Sequence, residues 1–153
     1  MAMFALEPLT AEDFDFRYRV YAVTIRPYLE TFVDWDDAQH EEMIRSNLLE
    51  SGNHFAILVN GERVGIAQIE ETADLLALHQ LEILPDYQGA GIGSAVIRSL
   101  MQRACAQAKP VELSVFLLNT GARSLYERLG FHVVSESHRD AQMRYVPPPP
   151  DLR

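Results

Sequence analysis

The spacing of apolar and polar positions changes near residue 54, from a helical repeat to strands separated by turns and single helices. Phe4 to Leu6 reads as a short opening strand. Thr10-Ala-Glu-Asp13 sets a hydroxyl three residues ahead of a carboxylate, the pattern of a capping box. A helical run follows through Phe14, Tyr18, Tyr21, Val23 and Ile25. Pro27 should end or kink it, because proline lacks the amide donor and its ring clashes with the preceding turn. A second helix is predicted from about Asp37, as its N-cap, to Leu49, closed by Ser51-Gly52-Asn53.

From His54 onward the segments shorten. His54 to Val59 and Arg63 to Ile69 flank Asn60-Gly61, a strong hairpin signal. Leu75 to Leu84 is a third strand, antiparallel to its neighbour because so few residues join them. Gln88-Gly89-Ala90-Gly91-Ile92-Gly93 then opens a helix running to about Gln107. Its apolar Val96, Ile97, Leu100, Met101 and Ala104 recur at three and four, so one face should pack on a sheet. Val111 to Leu117 suits a central strand, and Gly121 to Leu129 a short helix capped by Gly130. Phe131 to Val134 and Met143 to Val146 complete the strands. The prolines from Pro147 to Pro150 cannot pair in a sheet and read as a tail. The expectation is one domain over residues 1–146 and a proline-rich tail over 147–153, consistent with a length of 153 residues.

Composition narrows the classes. With 48% hydrophobic and 23% charged residues the chain reads as globular, not disordered or collagen-like. No stretch approaches the roughly 18 apolar residues of a membrane span, so no membrane partner is expected. The first residues carry no basic segment followed by a long apolar run, so no secretory signal is expected and the chain reads as cytoplasmic. The single cysteine, Cys105, allows neither an internal disulfide nor a cysteine metal cluster, and it reads as a small buried residue. The five histidines are dispersed, and no metal is implied. A net charge of −9 argues against a nucleic-acid partner and weakly favours cationic ones.

The chemistry concentrates in the glycine loop. Glycines let backbone amides approach a ligand and tolerate positive φ. A helix N-terminus adds unpaired N–H donors and partial positive charge, so the loop suits a phosphate or pyrophosphate. Its bland alternative is a tight turn that packs a helix closely on a strand. A dinucleotide site fits less well, since such a loop normally joins the first parallel strand to the first helix. A Walker loop is excluded, because no Gly-Lys-Ser/Thr follows.

Gln88, Gly91 and Gly93 at a strand-to-helix junction, led in by Pro85-Asp86-Tyr87, resemble the hallmark of the GNAT superfamily of N-acetyltransferases. A second family pattern follows in Asn119, Ala122, Tyr126, Gly130 and Phe131, and the order of elements agrees over most of the chain. The resemblance implies an α/β fold with a mixed, mostly antiparallel central sheet flanked by helices. Its two central strands, about 78–84 and 111–117, should run parallel through a right-handed crossover. It also implies acetyl-CoA as acyl donor and an amine acceptor, small molecule or peptide, attacking directly in a ternary complex. Main-chain groups of Leu81 and Ile83 would pair with the pantetheine arm. Gln88 and the amides of Gly89, Ala90, Gly91, Ile92, Gly93 and Ser94 would hold the pyrophosphate, and Asn119 would hydrogen-bond the cofactor. Tyr126 would act as general acid on the departing thiolate, since an unperturbed tyrosine is protonated at neutral pH. Family members often form homodimers, which makes a homodimer an expectation here.

The base is less well marked. The positions that carry a glutamate in some relatives fall near Ala77 and Ser114. Glu82, His79 and Glu112 are the nearest titratable groups, with a water chain as the other route. Glu82 stands out because an acid within an apolar strand is costly to bury unpaired. Arg26 to Glu42 combines six acids with Tyr28, Phe32 and Trp35, and the resemblance places this region at the acceptor channel. Acids beside aromatics suit a cationic amine. The simpler reading, that they serve the helix dipole and anchor the helix, is the stronger one. A coenzyme A-binding sensor without catalysis is the alternative function.

Overall fold

The computed structural model describes residues 3–152; Met1, Ala2 and Arg153 lie outside them. Seven strands form a mixed sheet: β1 (Ala5–Pro8), β2 (His54–Val59), β3 (Glu62–Glu71), β4 (Leu76–Ile83), β5 (Val111–Phe116), β6 (His132–Glu136) and β7 (Asp140–Tyr145). Their order is β1-β2-β3-β4-β5-β7-β6. Five helices accompany them: α1 (Phe14–Thr24), α2 (Arg26–Leu29), α3 (Asp37–Ser51), α4 (Ile92–Gln107) and α5 (Thr120–Leu129). The expected fold class is the one observed. Internal contacts divide the chain into two compact units, one comprising the residues through Ile69 with Gln80–Ala95, the other Glu70–His79 with the residues from Val96 on.

In the first unit the hairpin turns at Asn60 and Gly61, both at positive φ (53° and 80°), the conformation that makes Asn-Gly the favoured hairpin pair. Thr10 and Asp13 form the expected capping box, with the Thr10 amide donating to Asp13 at 2.8 Å, but it caps a single 3-10 turn ahead of α1. The helical segment breaks just ahead of Pro27, as expected: α1 stops at Thr24 and α2 starts at Arg26. Pro27 sits in the first turn of α2, where a missing N–H costs nothing. The N-cap of α3 is Asp36 rather than Asp37, its carboxylate accepting from the Gln39 amide at 3.2 Å. Gly52 ends that helix at φ 62°. Leu9, Val20, Leu48, Ala56 and Ile66 form a buried cluster, with Phe14, Phe16 and Leu84 packed on it.

In the second unit β4 runs parallel to β5 through Leu76–Leu78 with Val111–Leu113. β7 is antiparallel to both β5 and β6. The last two strands lie one residue later and three residues earlier than their apolar runs suggest, because polar Asp140 and Gln142 join the ladder through their backbone. Val111, Leu113, Ala141 and Met143 are buried. Along α4, Val96, Ile97, Leu100 and Ala104 are buried as expected, while Met101 is half-buried. Cys105 is half-buried rather than buried, and its Sγ lies 3.4 Å from the Tyr145 hydroxyl. The proline segment turns back into a 3-10 turn at Pro150–Leu152, and with Ala108, Pro110 and Arg144 it lines a shallow cavity of about 300 Å³. Among the described residues no helix is long and apolar enough to cross a membrane.

Candidate active site

The glycine loop lies within the first unit and grows from the end of β4. A 3-10 turn over Pro85–Tyr87 reverses the chain after Leu84. The Gln88 side chain then reaches back, its Nε2 donating to the Ile83 carbonyl at 2.8 Å, which ties the loop to the strand. Gly89 and Gly91 stand at φ 80° and 81°, a region that L side chains rarely enter. Ala95 donates to the Gly91 carbonyl at 3.0 Å, the first bond of the α4 ladder. The amides of the first turn precede that ladder and have no intrahelical acceptor.

Gly93 differs from its two neighbours. It has no left-handed backbone, and a Cβ built there would meet Leu81 and Ile83 side-chain carbons at 3.9 and 4.0 Å, ordinary contact distances. Neither strain nor crowding within the chain therefore requires glycine at this position. Gly93 lies in the first turn of α4 and is half-buried. Gln88 to Ser94 contains no acid, and Gln88, Gly89, Ala90 and Gly91 are exposed. These residues fit a pyrophosphate.

In the second unit, Asn119 is the N-cap of α5. Its side-chain oxygen accepts from the Ala122 amide at 3.2 Å. The other end is closed by Gly130 at φ 109°, with the Gly130 amide on the Glu127 carbonyl and the Phe131 amide on the Tyr126 carbonyl. That pair of bonds is a Schellman closure. The second motif thus spells the two caps of one helix, and Tyr126 stands three residues before its last one. The Tyr126 ring packs against Phe131 at 6.0 Å between centroids. Burial pushes its hydroxyl up to about 12.

The three titratable candidates for the base have different partners. Glu82 is 2% exposed and its Oε2 accepts from Arg17 Nη1 at 2.8 Å. Burial pushes its carboxyl up, and the Arg17 guanidinium opposes that. Glu112 accepts from Arg144 at 2.6 Å. His79 is exposed, with Nε2 at 2.9 Å from Glu70. Among the described residues no group of three or more His, Cys, Asp or Glu side chains is placed to hold a metal ion.

Several acids of the first helical region have partners within the chain. Asp37 Oδ1 accepts from the Tyr18 hydroxyl at 2.9 Å and from Trp35 Nε1 at 2.8 Å, and these bonds hold its carboxyl below the usual range. Glu30 pairs with Arg26, and Arg26 also lies over the Trp35 ring. Trp35 stacks on His40 with centroids 3.9 Å apart.

Sequence reasoning missed the buried Arg17, His54 and Gln68, which with the exposed Asn47 join Glu82 in one network. Arg17 Nε donates to His54 Nδ1 at 3.2 Å, and His54 Nε2 lies 3.3 Å from Asn47 Oδ1. Gln68 Nε2 reaches the same Asn47 oxygen and Asn53. A signal for it exists: Arg17 precedes the buried Val20 and Tyr21 by three and four residues, on the same helix face.

Known proteins resemble this chain in sequence and in fold. A model of the acetyltransferase (GNAT) family matches residues 17–131. An N-acetyltransferase of Methanocaldococcus jannaschii is 34% identical over 85 residues, 50% of this chain and 38% of its own length. The match therefore spans well under half of that relative. The ribosomal protein bS18-alanine N-acetyltransferase of Haemophilus influenzae is 25% identical over 96% of this chain and 90% of its own. Among solved structures, PaiA N-acetyltransferase from Thermoplasma acidophilum, in complex with coenzyme A, aligns with TM-score 0.70 at 16% identity, over 94% of this chain and 99% of that one. The ribosomal-protein-S18-alanine N-acetyltransferase of Escherichia coli aligns with TM-score 0.69 at 21% identity, over 99% of both. The chain belongs to the acetyltransferase (GNAT) family.

Proposed function

We propose that this chain is an N-acetyltransferase whose single catalytic domain, residues 1–146, moves an acetyl group from acetyl-CoA to a primary amine within a ternary complex. The observation that carries this reading is the strand-to-helix loop at Gln88–Ser94, with Gly93 left as glycine where the chain itself has no need of one. The first-turn amides of α4 hold the pyrophosphate. Leu81 and Ile83 lie beyond Leu78, the last residue of the parallel register, and offer main-chain groups to the pantetheine arm. Asn119 spends its oxygen on the helix cap and retains its amide N–H groups as donors to the cofactor.

Tyr126 is the acid. Its hydroxyl is a weak one at about 12. Full transfer to a thiolate of ordinary pKa, roughly 8.5, would be uphill by about 5 kcal/mol. Tyr126 therefore works chiefly as a hydrogen-bond donor to the thiolate as the C–S bond breaks. For the base we favour His79, exposed on β4 and oriented by Glu70, over Glu82 and Glu112, each of which an arginine engages.

The acceptor we propose is a peptide or protein amine, because the two ribosomal-protein alanine N-acetyltransferases cover nearly the whole chain. Thiol release from acetyl-CoA, measured with a peptide bearing N-terminal alanine and with a polyamine, tests this. Turnover of the peptide alone supports it; turnover of the polyamine alone reassigns the acceptor. Acetyl-CoA binding without turnover of any amine would favour the non-catalytic sensor.

A further inference from the structure

The strand that carries Leu81 and Ile83 is held from its opposite face by a buried charge pair with no role in the proposed chemistry. Successive strand side chains alternate in direction. Leu81 and Ile83 approach Gly93 at the start of α4, so Glu82 between them points the other way. There it meets Arg17, both side chains 1% exposed. Arg17 is held in turn by His54, whose Nδ1 accepts, so the imidazole is neutral and its Nε2–H faces Asn47. The Glu82 backbone is fixed as firmly. Gly65 on β3 lies so close that any Cβ there would collide with the Glu82 carbonyl, and Leu84 donates to the Val64 carbonyl at 2.9 Å just beyond.

Glu82 Oε1 is a buried side-chain atom with no hydrogen-bond partner among the described residues. An ionised carboxylate placed so costs several kcal/mol before its partner repays part of it. A pair retained at that cost, in the middle of the cofactor strand, calls for a task that apolar residues would not perform. Breaking one half leaves a buried charge, whereas replacing both with apolar residues is often neutral for stability.

We propose that the Arg17–Glu82 pair is a positioning device that sets the main chain of Leu81–Ile83 for the pantetheine arm of acetyl-CoA. This rests on the acetyltransferase reading given above. Glu82 then takes no proton from the acceptor, and its contribution falls on cofactor affinity.

The test compares wild type, Glu82→Gln and the double variant Arg17→Met/Glu82→Met by calorimetry with acetyl-CoA, thermal unfolding, and steady-state thiol release with the accepted amine. Expected is a rise of about tenfold in Kd and KM for acetyl-CoA in both variants, with kcat within about threefold and the acidic limb of its pH profile retained. The double variant should recover the melting temperature lost by Glu82→Gln without recovering the affinity. Unchanged affinity in a folded double variant would make the pair merely structural and overturn the proposal. A collapse of kcat at unchanged acetyl-CoA affinity would make Glu82 the base, and also overturn it. Wild type that binds no acetyl-CoA would overturn the acetyltransferase reading itself, and this proposal with it.

Discussion

Helix starts in this molecule solve the same problem in two opposite ways. α5 begins with Asn119, whose side chain covers the Ala122 amide, and α3 likewise begins with Asp36 on the Gln39 amide. α4 begins after Gly91, a residue with no side chain to offer. The first-turn amides of a helix need an acceptor from somewhere. At α3 and α5 the chain supplies part of it. At α4 the loop is shaped by two left-handed glycines and Gly91 supplies no such side chain. Under the proposed function the difference separates helix ends closed by the chain from one left to the cofactor.

Filling the α4 start should have the largest effect. In Gly93→Asp the new carboxylate favours the helix dipole by roughly 0.5 kcal/mol but repels a pyrophosphate. Acetyl-CoA affinity should fall at least about a hundredfold by calorimetry while the melting temperature holds or rises, by the same electrostatics.

Chemistry comes next. Tyr126→Phe should lower kcat by about a hundredfold with little change in the KM of acetyl-CoA, as expected for a group acting in the transition state. An unchanged kcat would remove Tyr126 from the mechanism. The same variant reports on stability. The Tyr126 pKa is raised on folding, from 10.0 to about 12. Its contribution is complete below pH 10 and is lost as pH rises towards 12, because only the unfolded chain then releases the proton. Wild type should lose about 1.4 kcal/mol per pH unit more than Tyr126→Phe across that window, read by denaturant melts.

The capped starts should respond in the opposite sense from α4. Asp36→Ala should cost about 1 kcal/mol of stability and leave acetyl-CoA affinity alone. Under the proposed function Asn119 belongs to both classes, which sharpens the contrast. Asn119→Ala should lose the cap, about 1 kcal/mol, as well as affinity. Asn119→Asp keeps an oxygen for the Ala122 amide but loses the donor, so it should retain stability and lose affinity. If neither variant loses affinity and only Asn119→Ala loses stability, Asn119 acts only as a cap.

Local signals carried most of the fold. The Asn60-Gly61 hairpin, the Thr10 capping box, the Gly130 closure and the apolar face of α4 each declare themselves within a few residues. The glycine loop is local too, and so was legible. What escaped depends on partners far along the chain. Arg17 and Glu82 are 65 positions apart, and a charged residue on a helix reads as solvated until the strand that covers it is known. Glu82 stands out in the sequence as an acid within an apolar strand, but Arg17 does not, and the supporting role proposed for Glu82 rests on that partner. The N-cap of α3 slipped by one residue because Asp36 and Asp37 are chemically equivalent in sequence. Only the backbone at Asp36, extended at φ −120°, tells them apart.

The most direct measurement is acetyl-CoA binding by calorimetry to wild type and Gly93→Asp, each checked for folding by thermal unfolding. The account predicts one-site binding to wild type and its loss in an equally stable Gly93→Asp. Equal binding by both folded proteins, or none by folded wild type, would contradict the assignment of the α4 start as the cofactor site.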